Sequence, residues 1–120
     1  MSLKYSHSGV TFQVRVEDFE KGVEWYTKLL GHKPDFVPHK GFAEWQIVTN
    51  AFLQVGEGKP EIGRPIRFGV SDIEKERERI QKELNIEVSQ IDRLEGFVLW
   101  CDFTDPFGNK LGLYQDLVSA

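Results

Sequence analysis

The stretch FTDPFGNKLGL, residues 103–113, specifies a tight turn between two apolar runs. Pro106 presets φ for a turn corner, and Gly108 and Asn109 tolerate the positive φ that strains other residues. The Asp105 side chain can accept hydrogen bonds from backbone N–H groups two residues further on. The stretch therefore predicts a hairpin that leads into the last strand of a sheet.

One pattern occurs twice in the chain, at a shift of 54 residues. FQVRVEDFEK, residues 12–21, aligns with IRFGVSDIEK, residues 66–75. In both segments apolar and polar residues alternate, which is typical of a half-buried strand, and an acidic residue then precedes a helical pattern. Two units are too few for a repeat array, so the sequence predicts two similar half-domains.

Size and composition limit the function classes. The 120 residues, 40% of them hydrophobic, are enough for one core and predict a single domain, residues 1–120. The net charge of −4 is small and the Lys and Arg residues are scattered, which argues against nucleic-acid and membrane partners. The single cysteine, Cys101, excludes an internal disulfide, and no apolar stretch is long enough for a signal core or a membrane span. We therefore expect a cytoplasmic protein.

Alternation and helical spacing predict an α+β fold with the order βαβββ in each half. For module one, about 9–58, the pattern predicts a helix at 18–30 and strands at 10–16, 34–38, 43–48 and 51–56. For module two, about 64–116, it predicts a helix at 72–84 and strands at 65–70, 86–92, 97–103 and 110–115.

Capping residues mark the ends of both predicted helices. Asp18 can cap the first helix and Ser71 or Asp72 the second, while Gly31 and Asn85 can end them in the left-handed conformation. The outer face of the second helix is almost all Glu, Lys and Arg, which we interpret as a solvated surface.

Residues 16–31, VEDFEKGVEWYTKLLG, and DPFGN, residues 105–109, resemble segments of the vicinal oxygen chelate superfamily. That superfamily includes glyoxalases, extradiol dioxygenases, fosfomycin-modifying enzymes and bleomycin-binding resistance proteins. The resemblance covers nearly the whole chain, although Phe107 stands where the family often has an acidic residue. It implies two βαβββ modules that form a curved, partly open mixed sheet with a concave cavity, commonly within a homodimer. Side-by-side and swapped pairing of the modules both stay open.

The resemblance also implies positions for a divalent metal, which the family fills with His, Gln or Glu. The matching positions here are Thr11, Gln54, Pro65 and Gly112. Pro and Gly offer no ligand atom, Thr is a weak ligand, and a catalytic site needs about three protein ligands. His7 is interpreted as too far from Thr11 to replace a ligand, and His32 and His39 are interpreted as surface side chains. We therefore predict no metal and no cofactor.

Strand alternation predicts which side chains line the concave cavity. If Phe12, Val14 and Val16 face the first helix, and Ile66, Phe68 and Val70 the second, the residues between them face the cavity. The candidate ligand-binding residues are Gln13, Arg15, Trp45, Phe52, Gln54, Arg67, Trp100 and Tyr114. Trp45 and Trp100 can lie either in the core or on the cavity wall, because the register of their strands is open.

The two candidate arginines, Arg15 and Arg67, can bind a carboxylate or phosphate bidentately, and the aromatic rings can stack on a planar group. Alternatively, the arginines are solvated or pair with Glu17, Glu44 and Asp102. No Ser/His/Asp, Cys/His or phosphate-loop pattern is present, and Cys101 lies on an apolar strand, where a free thiol usually acts as a small hydrophobe. No catalytic residue is assigned.

Three hypotheses follow. The leading one is a metal-independent small-molecule-binding protein that resembles the bleomycin-resistance type, holds an amphipathic or anionic ligand in a concave aromatic cavity and forms a homodimer. The second is a divalent-metal-dependent enzyme of the glyoxalase or dioxygenase type, which three or more metal ligands would favour. The third is a non-catalytic interaction module, which a filled cavity would favour.

Overall fold

The computed structural model describes residues 9–61 and 63–118, and the predicted βαβββ order is confirmed in both halves. The first module consists of β1 (Val10–Val16), α1 (Phe19–Leu30), β2 (Phe36–His39), β3 (Phe42–Val48) and β4 (Ala51–Glu57). The second consists of β5 (Ile66–Gly69), α2 (Ile73–Leu84), β6 (Asp92–Leu94), β7 (Val98–Thr104) and β8 (Lys110–Asp116). The chain therefore has the α+β architecture that alternation predicts.

Each module forms a four-stranded mixed sheet, in the orders β1-β4-β3-β2 and β5-β8-β7-β6. β1 is parallel to its neighbour β4, and β5 is parallel to its neighbour β8. All other neighbouring strands are antiparallel. Among the strands that the structure describes, β1 and β5 are therefore paired on one side only, and the sheets are not closed. Because Phe12 of β1 and Ile66 of β5 line the same cavities, the two modules lie side by side within the chain.

Both helices begin at an aspartate and end in the left-handed conformation. The carboxylates of Asp18 and Asp72 accept hydrogen bonds from the backbone N–H three residues later, at 3.2 and 3.1 Å. Asp72 rather than Ser71 is thus the second N-cap. Gly31, at φ 84°, and Asn85, at φ 52°, follow the last helical residues as predicted. Neither helix, nor any other within 9–61 and 63–118, is long and apolar enough to cross a membrane.

The predicted strand at 86–92 is wrong over most of its length, because β6 spans only Asp92–Leu94. Arg77 of α2 donates hydrogen bonds from Nε to the Ser89 carbonyl at 2.7 Å and from Nη2 to the Val88 carbonyl at 2.9 Å. A side chain from the helix therefore binds the carbonyls that a neighbouring strand would otherwise bind.

One hydrophobic core runs through both modules and includes residues of both helices. Val14 and Val16 are buried against α1, as predicted, but Phe12 stays 48% exposed. Ile66 and Phe68 of β5 are only half-buried. The alternation gives these three residues the correct face, but they are not fully buried, because β1 and β5 are edge strands that border the gap between the modules.

Arg79 joins the two helices. Its Nη2 donates to the Leu29 carbonyl at 2.8 Å and its Nη1 to the Lys28 carbonyl at 3.3 Å, and its guanidinium also bonds Glu76 and Glu83 at 2.9 and 2.8 Å. A positive side chain is favoured at the carbonyl end of a helix. The interpretation of the charged face of α2 as a solvated surface is therefore wrong at this residue.

Candidate functional site

The buried Asp105 carboxylate is the centre of a hydrogen-bond network that holds the modules together. Its Oδ1 accepts from the backbone N–H groups of Phe107 and Asn109 at 2.9 and 2.8 Å, which closes the predicted turn. Its Oδ2 accepts from the Tyr26 hydroxyl and from the Asn109 side-chain amide, both at 2.7 Å. The same amide donates to the Arg15 carbonyl at 2.8 Å. The turn of the second module thus positions α1 and β1 of the first.

The Tyr26 hydroxyl is a donor in this network at any ordinary pH. Burial raises the pKa of Tyr26 far above its usual value, and the neighbouring Asp105 charge and the hydrogen bond to it act in the same direction. The phenol therefore stays protonated, and the Asp105 carboxylate keeps its hydrogen-bond donor.

Four predicted site residues share one face of the first sheet. Gln13 and Gln54 lie opposite each other on β1 and β4, and the Gln13 amide donates to Gln54 Oε1 at 3.1 Å. Arg15 lies two residues further along β1, and its Nε is 3.5 Å from Gln13 Oε1. The Phe52 ring lies on the same face, 6.3 Å between centroids from Phe36, which the sequence did not indicate as a site residue.

Arg67 on β5 is held by a carboxylate of the second sheet. Its Nε donates to Asp102 Oδ1 at 2.8 Å and its Nη2 to Asp102 Oδ2 at 2.9 Å, and the two side chains are 37% and 42% exposed. The hydrogen bonds to Asp102 raise the pKa of Arg67. Asp102 is one of the pairing partners that the sequence left open as an alternative, and the pairing leaves Nη1 for another acceptor.

Gly112 lies under this ion pair, at a position where the sequence resemblance to the vicinal oxygen chelate superfamily implies a metal ligand. A Cβ at residue 112 would lie 2.5 Å from Asp102 Oδ1, 2.6 Å from the Cys101 carbonyl oxygen and 2.9 Å from Arg67 Cγ. No ligand side chain fits there without displacing its neighbours, and the Arg67 guanidinium would repel a cation. This position does not fit a metal ion.

The other implied metal positions offer no better set. The Gln54 amide oxygen accepts from Gln13, and Thr11 and Pro65 line the gap between the modules. Nδ1 of His32 and of His39 lies within hydrogen-bond distance of the next residue's carbonyl, and His7 lies outside the described residues. Within the described ranges, no group of three or more His, Cys, Asp or Glu side chains could hold a metal ion.

Trp100 and Tyr114 lie on the face of the second sheet that is turned away from the helices. They lie opposite each other on β7 and β8, and Gly69 lies opposite Tyr114 on β5. Trp100 is half-buried and Tyr114 is 36% exposed. A Cβ at residue 69 would lie 2.8 Å from the phenol ring, so the glycine leaves the space that the Tyr114 ring occupies.

Trp45 lies in the core and not on a cavity wall. Its side chain is fully buried, its ring lies 6.2 Å between centroids from Tyr26, and its Nε1 donates to the His32 carbonyl at 2.9 Å. Trp45 lies opposite Leu53, on the helix side of the sheet, while the preceding Glu44 lies opposite Gln54 on the concave side. The inclusion of Trp45 among the ligand-binding candidates is therefore corrected.

Two cavities lie between β1 and β5. The larger, of about 500 Å³, has aromatic and aliphatic walls that include Phe12, Phe68 and Ile66, and Arg67 and Tyr114 also line it. The other, of about 440 Å³, has a more polar lining that includes Thr11, Gln13, Arg64 and Lys110. The remaining candidates on the concave faces lie outside both cavities: Arg15, Phe52, Gln54 and Trp100.

Sequence reasoning missed Phe12, Ile66 and Phe68 as cavity residues because alternation assigns them to the helix side of their strands. That assignment gives the correct face of each strand, but it does not reveal the gap between β1 and β5 into which these side chains reach. The signal that could have found them is the position of β1 and β5 at the edges of two sheets that do not join.

No protein-family model matches the chain, and no curated protein matches it. Solved structures do match its fold. A glyoxalase/bleomycin resistance protein from Catenulispora acidiphila superposes with a TM-score of 0.73 at 22% identity, over 91% of this chain and 98% of that one. Lactoylglutathione lyase from Agrobacterium tumefaciens superposes with a TM-score of 0.74 at 13% identity, over 93% of this chain and 96% of that one. A glyoxalase-related enzyme from Clostridium phytofermentans superposes with a TM-score of 0.75 at 14% identity, over 96% of this chain and 99% of that one. The resemblance to the vicinal oxygen chelate superfamily is confirmed at the level of the fold.

Proposed function

We propose that the protein binds an amphipathic, anionic small molecule without a metal ion, in the manner of a bleomycin-resistance-type protein. The observation that carries the proposal is the cavity of about 500 Å³ between the modules, with Arg67 and Tyr114 in its lining. Small-molecule sites typically occupy about 300–1,000 Å³ and combine apolar walls with a few polar groups. This cavity has both properties.

The lining chemistry suits a ligand with a planar apolar body and an acidic group. Phe12, Phe68 and Tyr114 offer ring surfaces for stacking, and Arg67 is the cation among them. Because Asp102 already fixes the Arg67 guanidinium, ordering that side chain on ligand binding costs little entropy. A carboxylate or sulfonate can then accept a charge-assisted hydrogen bond from Nη1.

Metal independence is part of the proposal, and the crowding at Gly112 supports it. A metal-dependent enzyme is the alternative, since two of the fold neighbours are described as a lyase and as an enzyme. No contact among the described residues favours that alternative over binding alone. An interaction module is also less well supported, because no side chain of residues 9–61 or 63–118 fills the cavity between the modules.

A homodimer is also part of the proposal. Leu94, Phe97 and Leu117 are 57%, 58% and 42% exposed, and backbone hydrogen bonds hold them together beside the outer strand β6. Apolar residues grouped in this way are typical of a surface that a partner covers. A cytoplasmic location completes the proposal, and the free Cys101 thiol suits a reducing compartment.

Fluorescence titration with 8-anilinonaphthalene-1-sulfonate tests the site, because this probe is aromatic and anionic. We expect saturable binding that EDTA leaves unchanged and that Arg67→Ala weakens by about 1.5–3 kcal/mol, roughly 10- to 150-fold. Arg93→Ala is the matched control. Arg93 is exposed on β6, its Nη1 lies 4.0 Å from Glu95 Oε2, and it lines neither cavity.

An equal affinity of the Arg67→Ala and Arg93→Ala proteins would remove Arg67 from the site. Loss of binding in EDTA would instead favour the metal-dependent enzyme. Native mass spectrometry of the untreated protein tests the rest of the proposal, since it measures subunit number, bound metal and any co-purified molecule. A monomer or a metal adduct would contradict the corresponding part.

A further inference from the structure

A third cavity, of about 220 Å³, lies on the helical side of the molecule, where the end of α1 and the middle of α2 face the strands β3, β5 and β8. Its apolar walls come from both modules and include Leu29, Leu30, Phe68 and Ile80. This cavity therefore belongs to the junction between the modules, as does the cavity of about 500 Å³.

The third cavity and the cavity of about 500 Å³ share two lining residues, Ile47 of β3 and Phe68 of β5, and neither side chain is fully buried. Arg67 and Gly69, on either side of Phe68, line the larger cavity, and Val70 lines the third. Because successive strand residues point to opposite faces of a sheet, the larger cavity extends toward the face turned away from the helices and the third toward the helices. The two cavities therefore meet at Ile47 and Phe68, in the gap between the modules.

The two joined cavities differ in the chemistry that they offer a ligand. The charged side chains that line the third cavity, Glu76 and Arg79, bond each other at 2.9 Å, and Arg79 also donates to the Leu29 carbonyl at 2.8 Å. The larger cavity contains Arg67, whose Nη1 is left for another acceptor by the pairing with Asp102. An acidic group is therefore favoured in the larger cavity and a hydrocarbon segment in the third.

We propose that the bound molecule is an aromatic acid with an unbranched alkyl chain, and that this chain passes between Ile47 and Phe68 into the third cavity. The inference rests on the proposed function, since the acidic group and the ring occupy the cavity that contains Arg67. A dry cavity of about 150 Å³ is enough for benzene, so about 220 Å³ is enough for a chain of about six carbons. The burial of each methylene group should tighten binding about fourfold.

The series from 4-methylbenzoate to 4-hexylbenzoate tests the inference, because its members share one acidic ring and differ only in chain length. Displacement of bound 8-anilinonaphthalene-1-sulfonate measures their affinities, which we expect to rise about fourfold with each added methylene group. Leu30→Trp places a larger side chain in the third cavity and should abolish this rise, since Leu30 lines the third cavity and not the larger one. Val37→Trp is the matched control and should keep the rise, because Val37 is 60% exposed on β2 and lines neither cavity.

A second measurement uses the unaltered protein and keeps the test decisive if Leu30→Trp does not fold. We expect nuclear Overhauser cross-peaks from the terminal methyl group of bound 4-hexylbenzoate to the methyl groups of Leu30 and Ile80. The absence of these cross-peaks, an equal rise of affinity in the Leu30→Trp and Val37→Trp proteins, or affinities that do not depend on chain length would overturn the inference alone. Failure of 8-anilinonaphthalene-1-sulfonate itself to bind would instead overturn the proposed function on which the inference rests.

Discussion

The side-chain amide of Asn109 donates a hydrogen bond of 2.8 Å to the main-chain carbonyl of Arg15, 94 residues earlier in the chain. This bond crosses from the second module to the first. Because the same amide also bonds Asp105 at 2.7 Å, Asn109 belongs both to its own turn and to the junction between the modules.

Asn109→Ala should destabilise the protein by about 1–3 kcal/mol, because it removes one of the donors to the buried Asp105 carboxylate and the side-chain donor to the Arg15 carbonyl. Urea unfolding followed by tryptophan fluorescence measures the change. Asn50→Gly is the control, since Asn50 is an exposed turn residue at φ 61°, a conformation that glycine adopts readily. Equal stability of the two variants would contradict a role of Asn109 in the junction.

Tyr26→Phe should cost about 1–3 kcal/mol at neutral pH, because Asp105 loses a buried donor. The cost should shrink above about pH 10. There the unfolded tyrosine loses its proton and the folded one keeps it, so the stability of the unaltered protein falls as the pH rises. Denaturant unfolding at pH 8 and at pH 11 compares the two proteins. A difference in stability that stays constant between these pH values would argue against the raised pKa of Tyr26.

The Cys101 thiol should react with a disulfide reagent only as fast as the protein opens. It is fully buried on β7, and burial raises its pKa, so little thiolate is present or accessible near neutral pH. The rate of reaction with 5,5′-dithiobis(2-nitrobenzoate) at pH 8 should therefore rise steeply with urea. A Cys101→Ala protein that carries Thr104→Cys, at an exposed position, should react immediately. Equally rapid reaction of the native Cys101 would contradict this burial.

Gly112→Ala should destabilise the fold by about 1–3 kcal/mol, because the added Cβ meets Asp102 Oδ1 at 2.5 Å and the Cys101 carbonyl oxygen at 2.6 Å. Thermal unfolding gives the measurement, and Gly63→Ala is the control, since nothing lies within 4 Å of a Cβ there. Similar melting temperatures for the two variants would show that the sheet yields at residue 112 without cost.

Local patterns predicted the elements well where local chemistry decides them. The alternation of 10–16 and the caps at Asp18 and Gly31 depend on neighbours within a few residues, and all three were confirmed. The strand at 86–92 failed because Arg77 reaches carbonyls that lie more than ten residues away along the chain. The sequence contains no pattern that shows which distant carbonyls a long side chain such as that of Arg77 binds.

The sequence predicted on which face of the sheet the candidate side chains lie, but it did not predict how deeply each of them is buried. Alternation placed Gln13 and Gln54 on one surface, where their side chains are hydrogen-bonded. Trp45 depended on the register of β3, which pairs it with Leu53, and no residue near Trp45 reveals that register. The sequence could not show that the Trp25 indole N–H lacks an acceptor in the described part of the chain, since this follows from the packing of α1 against distant groups.

The crowded glycine on β8 also constrains how this chain can change. A carboxylate introduced at residue 112 would meet Asp102 and Arg67 before it could meet a metal ion. Any path toward cation chemistry, in evolution or in the laboratory, must therefore begin with a substitution in the Arg67 and Asp102 pair. Two changes in a set order make such a path epistatic, so lineages that carry the Arg67 and Asp102 pair should keep glycine at residue 112 while their loops diverge.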